Sequence, residues 1–186
     1  ALVRNDQVGS HIKQFSTNIN KDRLKDRGGE VVKAEVYWNP QRGVMIDYFA
    51  KEGEVCQYFC FVESGILQHS IEVLDEEKTT YLALRNSVTS SLSSFLFGKP
   101  SRKSIKAIAD CKLWIVDLKT FKDLIENNKA FHQFYYNVIE KQICLIDDYR
   151  IDLLTLTPEE RYKKLLATEP KLLQEVPLHY LSSFLG

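Results

Sequence analysis

Lys51-Glu-Gly-Glu-Val-Cys-Gln-Tyr-Phe-Cys-Phe-Val-Glu-Ser-Gly65 is the stretch on which the fold turns. Its core, Gln57–Glu63, is rich in aromatic and β-branched residues, and glycine-bearing turns bound it on both sides: Glu52-Gly53-Glu54 before and Ser64-Gly65 after. A short apolar run between two such turns predicts a strand flanked by tight reversals. The same rhythm continues outward. Upstream lie Val31–Trp38 and Val44–Ala50, separated by Asn39-Pro40 and Arg42-Gly43; downstream lie Leu67–Leu74 and Lys78–Leu84, separated by Asp75-Glu76-Glu77. Ser104–Ala109 and Lys112–Val116 resume the pattern, with Asp110-Cys111 at their turn. Many short strands closed by hairpin turns predict an antiparallel all-β unit. Between Asn86 and Gly98, Val88, Leu92, Phe95 and Leu96 recur at a helical period, so a short helix is expected to interrupt the strands.

After Val116 the period changes to that of helices. Asp117–Asn127 carries Phe121, Leu124 and Ile125 on one face. Lys129–Leu154 is much longer, with Phe131, Phe134, Tyr135, Val138, Ile139, Gln142, Leu145, Ile146, Tyr149 and Leu153 at spacings of three and four and no proline or glycine. At about 1.5 Å per residue it would run roughly 40 Å, more than one face of a small barrel covers. The expected partner for the surplus is a second copy of the chain, with Phe134, Tyr135, Val138, Ile139, Gln142, Leu145, Ile146 and Tyr149 at the seam of a homodimer. A helix lying wholly on its own domain is the alternative. Thr157-Pro158-Glu159-Glu160 then has the form of a helix start, with threonine as cap, proline in the first turn and glutamate three residues after the cap. Arg161–Ala167, a turn at Lys171–Gln174 and a last apolar helix, His179–Leu185, complete the chain.

The composition is that of an ordinary packed protein: 186 residues, 44% hydrophobic and 27% charged. Twenty-five basic residues balance 25 acidic ones, so no general basic coat points to nucleic acid, and any DNA contact must be local. Cys56, Cys60, Cys111 and Cys144 lie far apart without a Cys-x-x-Cys pair and read as reduced core residues. No apolar run approaches the roughly 20 residues that span a bilayer, so no membrane partner is expected and the predicted location is the cytoplasm. The expected division is a polar segment over 1–30 with a short helix through Ile12, Phe15 and Ile19, a β-barrel over 31–127, a long helix over 128–155, and small helices over 156–186.

This order of barrel, insertion helix, long helix and small helices resembles the cyclic-AMP-receptor/Fnr (Crp/Fnr) family of transcription regulators. Lys51–Gly65 is similar to that family's "xEGExxxxxYFVxxG" segment, and Gly98-Lys-Pro-Ser-Arg102 followed by Ala107–Leu113 to the end of its ligand cassette and the strand pair after it. The resemblance implies an α+β fold: an antiparallel jelly roll of the cyclic-nucleotide-binding type (a double-stranded β-helix), a dimerising helix, and the start of a winged helix-turn-helix. Leu156–Leu166 and Val176–Gly186 are similar to that start, which makes His179, Tyr180, Ser182 and Ser183 part of its first helix and Gly186 its turn. The recognition helix, which reads base edges, then lies beyond residue 186, so these 186 residues alone are not expected to bind a specific operator.

Relatives that bind a cyclic nucleotide use a glycine-glutamate pair for the ribose and an arginine-serine pair for the phosphate, as a carboxylate and a guanidinium fork require. Aligned through Ala107–Leu113, these positions hold Ser90-Ser91 and Ser101-Arg102, so neither pair is preserved. The pocket candidates are therefore Ser90, Ser91, Ser93, Arg102 and Lys103, for an unknown small effector other than cyclic AMP; without a ligand, the serines would form a solvated, capped short helix. The four scattered cysteines and the histidines at 11, 69, 132 and 179 do not suggest an iron-sulfur cluster, haem or metal, and no cofactor is expected. No nucleophile elbow, zinc-protease or phosphate-loop motif is present, so no enzyme activity is expected. The rival reading is a stand-alone ligand-binding or scaffolding module without DNA.

Overall fold

The computed structural model describes residues 32–36 and 48–185, without the side chains of 32–36 and of Lys171. The expected N-terminal helix, the turns between residues 37 and 43, and Gly186 lie outside the described residues. Eight strands are described: β1 (Val32–Val36), β2 (Tyr48–Ala50), β3 (Tyr58–Ser64), β4 (Leu67–Val73), β5 (Glu76–Ala83), β6 (Val88–Thr89), β7 (Ser104–Ala107) and β8 (Cys111–Asp117). They form two four-stranded antiparallel sheets, ordered β1-β8-β3-β6 and β2-β7-β4-β5. The expected barrel is thus a jelly roll of two facing sheets. Their inner faces share one core, in which Phe59, Phe61, Leu67, Ile105 and Leu113 are buried.

Gly65 shows why the quoted stretch needs its second glycine. It has φ 89°, and a Cβ there would sit 2.3 Å from the Asp110 carbonyl oxygen, so the β3–β4 turn closes onto the β7–β8 turn only without a side chain. The next hairpin differs from expectation. Its turn is Leu74-Asp75, at φ 52° and 63°, closed by the Val73–Glu76 pair. Two left-handed residues in a two-residue loop match the right-handed twist of the flanking strands. Glu76 and Glu77 therefore belong to β5, where Glu77 accepts hydrogen bonds from Ser70 at 2.7 Å and from Lys106 at 2.7 Å.

The insertion helix α1 (Leu92–Phe97) is shorter than the period over 86–98 suggested. Val88 and Thr89 pair with β3 instead, as Phe61↔Val88 and Cys60↔Thr89, so the β-branched pair extends the sheet. Helix α2 (Leu118–Asn127) packs Phe121 into the core, where its ring lies 5.0 Å from Phe59 and 5.3 Å from Phe95. Helix α3 (Lys129–Thr155) has 27 residues and is capped by Asn128, whose side chain accepts from the Ala130 and Phe131 amides. Helix α4 (Pro158–Thr168) begins with the expected capping box: the Glu160 N–H donates to Thr157 Oγ1 at 3.3 Å and the Thr157 N–H to Glu160 Oε2 at 2.8 Å. Helices α5 (Pro170–Glu175) and α6 (Leu178–Leu185) follow.

The small helices do not hang free. Leu165, Leu172, Val176 and Leu181 form a second core with Ile66, Leu82, Leu84 and Ile108. Strand alternation explains the two cores: Leu67 and Ala83 face inward, whereas the adjacent Ile66, Leu82 and Leu84 face the small helices. At the strand edge the Thr79 N–H donates to Ser183 Oγ at 2.9 Å, which ties α6 to β5.

Candidate functional site

The cassette between β6 and β7 is knit by its own hydroxyls. Ser90 donates to the Tyr58 carbonyl at 2.9 Å, and Ser94 accepts from the Cys56 amide at 2.8 Å. Ser101 joins Ser91 at 2.8 Å and the Lys103 carbonyl at 2.6 Å. Gly53, at φ 83°, gives its N–H to the Ser101 carbonyl at 2.8 Å, and the Ser101 N–H goes to the Glu54 carbonyl at 2.8 Å. The quoted stretch thus braces the exit of the cassette.

The expectation of a solvated serine helix is corrected by this network. Ser90, Ser91, Ser94 and Ser101 are buried, and Ser91 precedes α1 without a side-chain capping bond. Buried hydroxyls require partners, and these come from the segment itself and from Cys56 and Tyr58 beside it. Of the residues expected to touch a ligand, Ser93 and Arg102 are exposed, on the outer side of α1 and on the bend before β7. Ser90 and Ser91 are buried but already bonded. Lys103 turns inward, and burial lowers the pKa of its ammonium from the ordinary lysine value.

The interior beside Lys103 holds a residue the sequence had not distinguished. His69 on β4 is 2% exposed; its Nε2 lies 2.6 Å from Thr89 Oγ1, and its ring meets the edge of Tyr81 at 5.1 Å. Its Nδ1 is buried without a hydrogen-bond partner. Burial, and secondarily the charge of Lys103, hold its pKa well below the usual histidine value, so the ring is neutral at pH 7. The available signal was the period-2 sequence Leu67-His69-Ile71, which sets His69 on the same face as a core leucine. Tyr81, opposite His69 on β5, has its phenol pushed up to about 12 by burial; the hydroxyl lies beside Gln142 on α3 without a well-formed hydrogen bond.

Cys56, Cys60 and Cys111 are buried, and burial raises the Cys60 thiol well above its ordinary value and Cys111 to about 11. Cys144 departs from the core reading: it is exposed on α3. Four thiolates are therefore not gathered, and among the described residues no group of three or more His, Cys, Asp or Glu is placed to hold a metal. None of the described helices is long and apolar enough to cross a membrane.

Helix α3 presents two stripes. Phe131, Phe134 and Val138 are buried on the jelly roll, and Tyr135, Gln142, Leu145 and Tyr149 are half-buried, Tyr149 stacking on Phe184 of α6 at 6.0 Å. On the other side run Tyr136, Ile139, Ile143, Ile146, Arg150 and Leu153, at alternating spacings of three and four; Ile139 is half-buried, while Ile143 is 62% and Ile146 56% exposed. Of the eight expected seam residues, Phe134 and Val138 are thus occupied within the chain, and Ile139 and Ile146 lie on the outer stripe. Two interleaved stripes cannot be told apart by period alone. On α6, His179 and Ser182 are exposed and Tyr180 and Ser183 half-buried.

Residues 46–128 match the family model of the cyclic nucleotide-binding domain. No curated protein matches the sequence. Solved structures do resemble it. FixK2 from Bradyrhizobium japonicum aligns with a TM-score of 0.65 at 16% identity, over 83% of this chain and 78% of that one. A protein from Eubacterium rectale described as a regulator of the Crp/Fnr family gives 0.62 at 13% identity, over 97% and 76%. A mutant of CooA from Carboxydothermus hydrogenoformans gives 0.56 at 14% identity, over 73% of this chain; the chain spans only 55% of the length of that protein. Residues 46–128 are thus similar to the cyclic nucleotide-binding domain, and the chain shares its fold with FixK2 and the Eubacterium rectale protein.

Proposed function

We propose that the chain is the sensing and dimerising part of a cytoplasmic Crp/Fnr-like transcription regulator, whose effector is not cyclic AMP and whose DNA contact is completed by a recognition helix beyond residue 186. The observation that carries the reading is the outer stripe of α3. Its spacing is that of the a and d positions of a coiled coil, and Ile143, Ile146 and Leu153 are exposed in the single chain. A second copy covers such a stripe without using the residues already spent on the jelly roll. The division into a jelly roll to residue 127, a dimer helix over 128–155 and the start of a winged helix-turn-helix from 156 belongs to the same reading.

Two features support a non-cyclic-AMP effector. The carboxylate expected for a ribose is replaced by Ser90-Ser91, and Arg102 is exposed instead of facing the pocket. In this reading the route from pocket to helix is His69, Tyr81 and Gln142, which lie in sequence from β4 to α3. An effector that engages His69 biases the position of α3, and with it the helices α4 to α6, between two arrangements. No step of catalysis is assigned.

Sedimentation equilibrium at micromolar concentration tests the reading. The expected result is a dimer that Ile143→Lys with Ile146→Lys converts to monomer without loss of the folded circular-dichroism spectrum. A wild-type monomer would defeat it.

A further inference from the structure

We propose that the contact between α6 and the free edge of β5 is a releasable dock, which withholds one side of α6 while closed and frees it without unfolding the jelly roll. The inference deepens the regulator reading above by naming a device for its regulation, and it rests on that reading. In the order β2-β7-β4-β5, β5 has a neighbour on one side only among the described residues, so its other edge turns N–H and C=O groups outward. Ser183 meets two of them, two residues apart. Its Oγ accepts from the Thr79 N–H at 2.9 Å and donates to the Glu77 carbonyl at 3.4 Å. Leu181, 2% exposed, and the half-buried Tyr180 and Phe184 bring α6 onto Ile66, Leu82, Leu84 and Ile108.

A hydroxyl engaged by the sheet is not free for a phosphate backbone. In the regulator reading, Tyr180 and Ser183 belong to the first helix of the helix-turn-helix, and such side chains position the reading head through phosphate contacts. Docked, Ser183 has its proton on Glu77 and a lone pair on Thr79, while His179 and Ser182, on the outer side, are exposed.

The dock is held more lightly than the jelly roll. Leu165, Leu172, Val176 and Leu181, the buried side chains that the helices bring to it, are aliphatic. The jelly-roll core buries Phe59, Phe61, Phe95 and Phe121, and larger apolar side chains hold more strongly. The joint to α3 is the two-residue link Leu156-Thr157, closed by Arg161, which donates from Nη1 to the Leu156 carbonyl at 2.8 Å and from Nη2 to the Leu185 carbonyl. One guanidinium thus ties the ends of α3 and α6, where helix carbonyls lack partners. Its Nε is buried without a hydrogen-bond partner, an unmet donor that release returns to water. Few polar bonds, a short joint and a cost in the closed form suit an element with two positions.

Hydrogen exchange of the 186-residue chain, followed amide by amide by NMR in rising sub-denaturing urea, tests the dock. The expected result is that the Thr79 and α6 amides exchange together, roughly tenfold or more faster than Leu113 in β8, through an opening that leaves the jelly roll folded. Ser183→Ala should speed Thr79 by a further factor of roughly ten and leave Leu113 unchanged, whereas Ser182→Ala, on the exposed side, should change neither. Exchange of Thr79 and α6 only at the rate of Leu113 would make the helix a fixed part of the sensor and overturn the release. Unprotected exchange of Thr79 in the wild type, or an unchanged rate in Ser183→Ala, would remove the clasp. The wild-type comparison of Thr79 with Leu113 decides without either variant. Sedimentation of the same samples keeps the two readings apart. A dimer whose α6 opens only with the jelly roll keeps the regulator and removes the dock, whereas a monomer whose α6 opens separately keeps the dock and removes the dimer.

Discussion

The cassette and the jelly-roll interior stand side by side, and both are polar and buried, yet they are built in opposite ways. In the cassette, Ser90, Ser91, Ser94 and Ser101 find partners among neighbouring hydroxyls, carbonyls and amides. In the interior, His69 keeps one nitrogen unbonded, and burial lowers the pKa of the neighbouring Lys103. A buried polar group whose bonds are made stabilises the fold, while one whose bonds are unmade weakens it until something arrives to bind. The segment between β6 and β7 is thus held as a structural strap, and the unmet hydrogen-bonding demand lies in the interior beside it.

The sharpest way to break this contrast is to remove the strap's anchor. Phe95 on α1 is 2% exposed, and its ring packs at 6.2 Å from Phe59 and 5.3 Å from Phe121. Phe95→Ala should lower stability by about 3–5 kcal/mol, read from urea unfolding, because a buried aromatic leaves a cavity the facing sheets cannot close. A loss below about 1 kcal/mol would mean that the cassette is loosely held. A smaller effect probes the hydroxyl network. Ser94→Ala strips the Cys56 amide of its buried acceptor and should cost about 1–3 kcal/mol. The same change at exposed Ser93 should stay within about 0.5 kcal/mol. Equal values at 93 and 94 would show the network to be ornamental.

That contrast was only partly legible in the sequence. The strands, the capping box at Thr157 and the long helix could be read because each depends on local rules: alternation, a cap spaced three residues from its glutamate, and an unbroken helical period. The two-residue turn at Leu74-Asp75 was hidden because neither residue is glycine, and its left-handed backbone is imposed by the strand pairing on either side. The site was less legible than the fold. Lys103 was named as a pocket residue but His69 was not, since a histidine with no histidine or cysteine near it in sequence gives no signal until the fold sets it within reach of the lysine charge. Likewise, which stripe of α3 meets its own body depends on where the jelly roll sits, and Phe134 and Ile143 look equally apolar in one dimension.

The smallest expected effect separates an unmet histidine from a merely buried one by its dependence on pH. His69 has a folded-state pKa well below the ordinary 6.5, through burial first and Lys103 second. Above that ordinary value both folded and unfolded chains hold the ring neutral, and the histidine contributes no pH dependence. As the pH falls through about 6.5 the unfolded chain takes up a proton that the folded chain refuses, so stability declines by up to about 1.4 kcal/mol per pH unit for one proton. His69→Gln keeps a polar group opposite Thr89 but cannot titrate, and its unfolding free energy between pH 7 and 5 should fall less steeply than that of the wild type. Among the described residues, the titratable groups that bear on the ring are Lys103 and Tyr81. Tyr81, at about 12, does not change charge in this window, and repeating the pair of measurements in Lys103→Met removes the lysine. Without the neighbouring charge the histidine's slope should begin to level off at a higher pH, because one of the two causes of its lowered pKa is gone. Parallel slopes with and without the His69→Gln substitution, in both backgrounds, would mean that the folded protein admits the proton freely, and the interior would then be no less satisfied than the cassette beside it.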